Sequence, residues 1–293
     1  MALELRGVYA PNVTPFSSQA VDEDGLRRVL DYFVERDIAG FVPCGTTGES
    51  ATLTAEEHRR VVELTVKHVD GRATVIAGAG SNCTAEAVEY VKYAEDVGAD
   101  AALVICPYYN RPTQAGLIAH FQQVAAAAPL PIIMYNIPKR TGVNMTAATA
   151  VELSRVPNIV GIKEASGDLQ QITDILHSCQ PDFAVLSGDG HMTFAICCLG
   201  GVGGILADAH VMPGEWVRMV ELLAAGRAAE AREIHFRLLP VMRALFLEPN
   251  PSPVKAAMEM MGLCSAEVRL PLLPATDNCR AVLREELAKL GLL

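Results

Sequence analysis

The sequence predicts a closed (β/α)8 barrel, and three observations predict it. A unit of short apolar run, turn and amphipathic stretch recurs eight times along the chain. The apolar runs are rich in Val and Ile and mostly lack polar alternation, as strands covered on both faces do. After the eighth unit only helical patterns follow. Strand and helix in strict alternation imply a parallel sheet, and a count of eight selects the barrel over an open doubly wound sheet. The chain of 293 residues, 51% hydrophobic and 20% charged, can bury one large core.

Taken in order, the expected strands are residues 8–13, 40–44, 73–78, 101–106, 131–137, 159–164, 183–187 and 203–207. Between them lie amphipathic stretches such as Leu26, Val29, Leu30, Phe33 and Val34, at three-and-four spacing. Helix starts are signalled by Thr54 before Glu57, Thr84 before Ala87 and Asp168 before Gln171. Beyond Gly226, residues 227–246, 251–261 and 277–290 read as three helices. The expected organisation is a catalytic barrel over residues 1–225 and a helical extension over 226–293.

The net charge of -10 disfavours nucleic acid and anionic membranes as partners, yet permits a locally positive site for a small anionic substrate. No apolar stretch reaches the ~18 residues of a membrane span, and the first residues carry no apolar leader. The eight cysteines form no C-x-x-C pair and sit mostly in apolar segments, so free thiols in a reducing cytoplasm are expected.

A (β/α)8 barrel builds its active site at the C-terminal ends of its strands. Lys163 is the sharpest feature there, alone among six lysines in lying inside an apolar strand. Burial disfavours the ammonium, and a neutral amine attacks carbonyl carbon. The alternative is a buried ion pair with Glu164 or Asp189, although Glu164, next in the strand, should face the other way. Thr46-Thr47-Gly48 after strand 2 offers backbone N–H groups and two hydroxyls to a carboxylate, or is an ordinary βα turn with a Thr cap. Tyr109 and Tyr135 can relay protons through a Thr hydroxyl, or pack at the rim. Arg140 can hold a carboxylate bidentately, or lie exposed on its loop.

Residues 200–204, Gly-Gly-Val-Gly-Gly, enter strand 8 at the opposite end of the barrel, so they read as close packing and not as a phosphate loop. Asp189, His191, Asp208 and His210 follow the neighbouring strands 7 and 8, but their spacing is not that of a metal site.

Six motifs in order then carry a resemblance from about residue 5 to the end. They are Gly45-Thr46-Thr47-Gly48-Glu49-Ser50, Pro107-Tyr108-Tyr109-Asn110-Arg111-Pro112 and Tyr135-Asn136-Ile137-Pro138 with Arg140-Thr141-Gly142. Gly161-Ile162-Lys163-Glu164-Ala165, Leu186-Ser187-Gly188-Asp189 and Glu248-Pro249-Asn250-Pro251 complete the set. The chain thereby resembles the dihydrodipicolinate synthase / N-acetylneuraminate lyase family. Within it the chain is most similar to the synthases that condense pyruvate with aspartate 4-semialdehyde on the route to lysine. The resemblance implies an imine between pyruvate and Lys163. Thr46 and Thr47 would bind the pyruvate carboxylate, with Gly188 and Ile205 lining the pocket. Thr46, Tyr135 and Tyr109 would form a proton relay, Tyr109 reaching in from a neighbouring subunit, and Arg140 would hold the semialdehyde carboxylate. It further implies a homotetramer built of two dimers, with no metal and no organic cofactor. Ser50, Ala51, His58, Asn82, Glu86 and Tyr108 match the positions of a lysine-feedback site. Two departures stand out: Ala55, where a larger side chain is usual, and Leu206-Ala207-Asp208-Ala209-His210, where the synthases carry a Ser/Thr-rich segment.

Other readings are a pyruvate-dependent aldolase or dehydratase of a keto-deoxy sugar acid, and a catalytically silent binding barrel. Arg140 argues for the synthase, and the full set of Lys163, Tyr135, Thr46 and Tyr109 argues against a silent barrel.

Overall fold

Eight parallel strands close on themselves to form the barrel in the computed structural model, which describes residues 3–293. They are β1 (Gly7–Ala10), β2 (Gly40–Phe41), β3 (Thr74–Gly78), β4 (Ala101–Ile105), β5 (Ile132–Asn136), β6 (Ile159–Glu164), β7 (Ala184–Ser187) and β8 (Gly203–Ile205). Each pairs with the next, and β1 completes the ring against β8. All the strands but β6, which matches its expected run, are shorter than the apolar runs. Val42 to Cys44 leave the sheet as the chain turns, with Cys44 at φ 55, and after Ile205 the chain winds into a 3-10 turn over Ala207–His210.

Outside the strands run α1 (Glu23–Val34), α2 (Ala55–Val69), α3 (Thr84–Asp96), α4 (Gln114–Ala125), α5 (Ala147–Leu153), α6 (Leu169–Ser178), α7 (Gly190–Cys198) and α8 (Pro213–Ala224). The apolar stripe of α1 buries Leu26, Val29, Leu30 and Phe33. Thr54 and Glu57 form a reciprocal capping box at α2, and the Asp168 carboxylate accepts from the Gln170 and Gln171 amides at α6, as the sequence predicts. Thr84 is a correction. The cap position belongs to Cys83, and the Thr84 hydroxyl is instead 2.9 Å from His120 Nδ1, a tertiary partner that outcompetes the local amide.

The core has two parts. Tyr9, Val42, Ile76, Leu103, Ile133 and Leu186 belong to the group that fills the barrel interior. A larger layer joins the outer faces of the strands to the helices. At the end remote from the site, a Cβ on Gly203 would lie 1.8 Å from the Gly7 carbonyl oxygen, so the glycine run before and into β8 serves close backbone packing.

The last three helices are α9 (Ala228–Ala244), α10 (Ser252–Met260) and α11 (Asp277–Lys289). The first packs on α7, α8 and α11, and its side chains join the same apolar layer as the barrel helices. All eight cysteines are free. Among the described residues no helix is long and apolar enough to cross a membrane.

A second lysine is buried, which the sequence reading did not foresee. Lys255 in α10 is 0% exposed and pairs with Glu49, whose side chain is also fully buried. Lys255 Nζ donates as well to the Glu267 carbonyl at 2.8 Å and lies 4.1 Å over the Phe16 ring. Glu49 Oε2 accepts from the Arg269 amide at 3.1 Å. This pair clamps the loop after β2 to the C-terminal helices. Replacing Lys255 with Met should leave the Glu49 carboxylate buried without a cation and cost roughly 3–5 kcal/mol in urea denaturation. A loss below about 1 kcal/mol would contradict that account.

Candidate active site

Alternation along β6 sends neighbouring side chains to opposite faces. Lys163 therefore enters the barrel mouth, and Glu164 points outward. There Glu164 accepts from the Ser166 amide at 2.6 Å and the Asn136 side-chain amide at 3.0 Å, so it is spent on the loop after β6. Neither carboxylate proposed as an ion partner is within salt-bridge distance of Lys163. The buried-ion-pair alternative is thereby removed, and among the described residues the amine has no ion-pair partner.

Register places Tyr135 of β5 opposite Lys163 of β6. Lys163 Nζ sits 4.2 Å from the Tyr135 ring centroid. Burial, with the Arg140 guanidinium acting in the same direction, holds the Lys163 ammonium down to about 7, while Asp208 pushes it back up. Burial pushes the Tyr135 phenol up to about 12, and the nearby Thr46 hydroxyl and Arg140 pull against it. Near neutral pH the phenol is thus a proton donor beside an amine that is substantially uncharged.

These groups share a cavity of about 550 Å³ at the C-terminal end of the strands. Thr46, Thr47, Tyr135, Arg140, Lys163 and Gly188 all line it. Gly188 has a steric reason to be glycine: a Cβ there would fall 3.1 Å from Lys163 Cε and 2.8 Å from Ala165 Cβ. The Thr47 hydroxyl accepts from the Asn250 side-chain amide at 3.0 Å. The Arg140 guanidinium is 3.4 Å from the Asn250 carbonyl oxygen.

Two predicted members do not join the cavity of their own chain. Ile205 is fully buried among the apolar residues of the barrel interior and is not part of the cavity wall. Tyr109 is 88% exposed, with φ at 69, a region that costs a non-glycine residue energy. His210 turns away as well, with Nδ1 2.9 Å from the Ala207 carbonyl and Nε2 accepting from the Val13 amide. Those bonds fix it neutral and apart from His191. Among the described residues no three His, Cys, Asp or Glu side chains form a metal-binding cluster.

Asn250 was missed as a site residue. The signal was present in the Glu-Pro-Asn-Pro motif, but nothing local says that the connection from α9 to α10 returns over the barrel mouth. Phe246, Leu247 and Pro249 arrive with it.

A second cavity of about 380 Å³ abuts the first, and Thr46, Tyr135, Arg140 and Asn250 line both. Ser50, Ala51, His58, Glu86 and Tyr108 lie along it. Asn82 does not; its backbone carbonyl accepts from the Asn110 side chain at 2.8 Å.

The model of the dihydrodipicolinate synthetase family matches residues 4–290. The chain belongs to that family. A 4-hydroxy-tetrahydrodipicolinate synthase of Syntrophus aciditrophicus is 47% identical over 288 residues, 98% of this chain and 99% of its own. One from Methanococcus maripaludis is 47% identical over 290 residues, 99% of this chain and 100% of its own. Among solved structures, a chloride-inhibited dihydrodipicolinate synthase from Acinetobacter baumannii, complexed with pyruvate, superposes with a TM-score of 0.97 at 38% identity. That match covers 99% of this chain and 100% of the other. Membership of the dihydrodipicolinate synthetase family accounts for both the barrel and the helices beyond it.

Proposed function

We propose that the chain condenses pyruvate with L-aspartate 4-semialdehyde to give 4-hydroxy-tetrahydrodipicolinate, through a Schiff base on Lys163. The observation that carries this reading is the unpaired, buried Lys163 amine over the Tyr135 ring, in a cavity that also holds two Thr hydroxyls and an arginine. The neutral amine attacks the pyruvate ketone, water leaves, and the iminium allows loss of a methyl proton to an enamine. The enamine carbon then attacks the aldehyde, and the amine of the semialdehyde closes onto the imine carbon, expelling the Lys163 amine and freeing the cyclic product. Thr46 and Thr47 hold the pyruvate carboxylate, Tyr135 with Thr46 moves the protons, and Gly188 leaves room for the adduct. No metal or organic cofactor takes part in these steps.

Arg140 holds the carboxylate of the second substrate. Its replacement by Ala should raise the KM for the semialdehyde at least roughly tenfold, the worth of a charged hydrogen bond. The pyruvate adduct should still form, with its pH dependence displaced upward because one cation near Lys163 is gone. An unchanged KM would remove Arg140 from this role.

Tyr109 serves the relay of a neighbouring copy in a homotetramer; its exposure and its strained backbone support that reading. L-lysine is the expected regulator of the second cavity, a reading supported by Glu86, Tyr108 and His58 along its wall. The deciding experiment is incubation with pyruvate followed by borohydride reduction. A stable adduct mapped to Lys163 is expected, and its absence with every 2-keto acid tried would end the imine reading. Turnover with a sugar-derived aldehyde but none with the semialdehyde would reassign the substrate.

A further inference from the structure

Asn250 touches two groups assigned to carboxylates, yet the reaction gives it no task. It lies on the α9–α10 connection, in the wall of the first cavity, and is buried there. Its backbone carbonyl oxygen is 3.4 Å from the Arg140 guanidinium. Its side-chain amide donates to the Thr47 hydroxyl at 3.0 Å, and Thr47 is itself buried. One residue of the tail therefore holds one group through its backbone and the other through its side chain.

The direction of the side-chain bond matters. A hydroxyl carries one proton and two lone pairs. Asn250 Nδ2 occupies a lone pair of Thr47 Oγ1, so the Thr47 proton is not turned toward residue 250. Among the described residues no other hydrogen bond takes up that hydroxyl. Its proton is left for an acceptor in the cavity that Thr47 lines. Asn250 Oδ1, meanwhile, is buried without a partner. An unpaired buried acceptor costs free energy that an apolar side chain would avoid. What the amide adds against that cost is an N–H aimed at Thr47.

We propose that Asn250 is a positioning residue for the first substrate, whose side-chain amide turns the Thr47 hydroxyl into a fixed donor to the pyruvate carboxylate. It rests on the reading of Thr47 as a holder of that carboxylate. An ionised carboxylate only accepts hydrogen bonds, so a hydroxyl facing it serves in one orientation alone. Asn250 makes no bond to substrate; it removes the wrong orientation before pyruvate arrives. Arg140 leans on the backbone of the same residue, so the contact to the second substrate survives a change of side chain at position 250.

The test measures half-saturation by pyruvate, read as borohydride-trapped adduct at Lys163, together with the KM for each substrate. It compares the full-length wild type, Asn250→Ala, Asn250→Asp, Thr47→Val and the Thr47→Val, Asn250→Ala double variant. Thr47→Val should raise pyruvate half-saturation roughly tenfold, through loss of a charge-assisted hydrogen bond. Asn250→Ala should raise it about threefold, because the hydroxyl is then free to turn. Asn250→Asp should raise it roughly tenfold, more than alanine does, because a carboxylate of the same shape draws the Thr47 proton onto itself. The new charge acts in the same direction, so the double variant isolates orientation. Once Thr47 is valine, adding Asn250→Ala should change half-saturation by less than about twofold, since no hydroxyl remains to be aimed. The KM for the semialdehyde should stay within about twofold in Asn250→Ala. Should that variant fail to fold, Asn250→Leu, closer in volume, carries the same cycle. An Asp variant that binds pyruvate as well as the Ala variant, or an undiminished effect of Asn250→Ala beside Thr47→Val, would overturn the proposal. So would an equal rise in both KM values, which is what collapse of the roof produces. Unchanged half-saturation in Thr47→Val would instead overturn the role of Thr47 beneath the proposal, and absence of any wild-type adduct the imine reading itself.

Discussion

Lys163→Ala is expected to form no trapped pyruvate adduct and to lose at least roughly a thousandfold in kcat/KM, the scale on which loss of a covalent nucleophile acts. Lys163→Arg should fail equally, since a guanidinium never gives up its proton at working pH. Activity within about tenfold of the wild type in either variant would refute the imine. The same residue predicts a gain elsewhere. The unfolded chain binds a proton at Lys163 up to about 10.5, the folded protein only up to about 7. Between those values the unfolded state holds more protons, so stability rises with pH over that window. The wild type thus carries its full penalty below about pH 7, and it sheds that penalty as pH climbs toward 10.5. Lys163→Met has no such group. It should be inactive yet more stable than the wild type, with an advantage in Tm that is largest below neutrality and shrinks on the alkaline side. Equal Tm values across that range would show that the amine is not desolvated in the native state.

Tyr135→Phe should lower kcat by roughly 10²- to 10⁴-fold, the range for loss of a positioned proton donor, while the KM for pyruvate changes little. The argument is geometric and electrostatic together. The phenol lies in the wall shared by both cavities, beside the Thr46 hydroxyl, and its high pKa keeps the proton in place until a stronger base develops. Phenylalanine preserves the ring under the Lys163 amine, so folding and the environment of that amine should survive. A fall in kcat of less than about threefold would assign Tyr135 to packing. A large rise in the KM for pyruvate would assign it to binding.

The eight strands were legible because strands buried on two faces write themselves as unbroken Val and Ile runs, and because a lysine inside such a run is conspicuous. The ends of those strands were not, since Val42 and Cys44 remain apolar while the backbone turns. The candidate site was legible wherever its residues sit near the C-terminal end of a strand, within it as Tyr135 does or beyond it as Thr46, Arg140 and Gly188 do. Asn250, on the α9–α10 connection, and Lys255, in α10, come from segments that return from outside the barrel, and their partners lie 203 and 206 positions away in sequence. Such contacts leave no periodic trace. Lys255 sits between Val254 and Ala256 on a helix, where a lysine ordinarily reads as solvated. Ile205 failed in the other direction: an apolar side chain at a strand end is claimed by the barrel interior more readily than by a ligand pocket.

The return of the α9–α10 connection over the barrel mouth has a consequence for engineering. Eight β/α modules transplanted as a cassette would keep a hydrophobic core yet lack Asn250 against Thr47, the roof formed by Phe246 to Pro249, and the Lys255 anchor under Glu49. A chimera that swaps barrels must therefore carry this chain's tail along with its own loops, and a tail grafted from a distant relative has to match the foreign loop after β2 before substrate specificity can be changed at all.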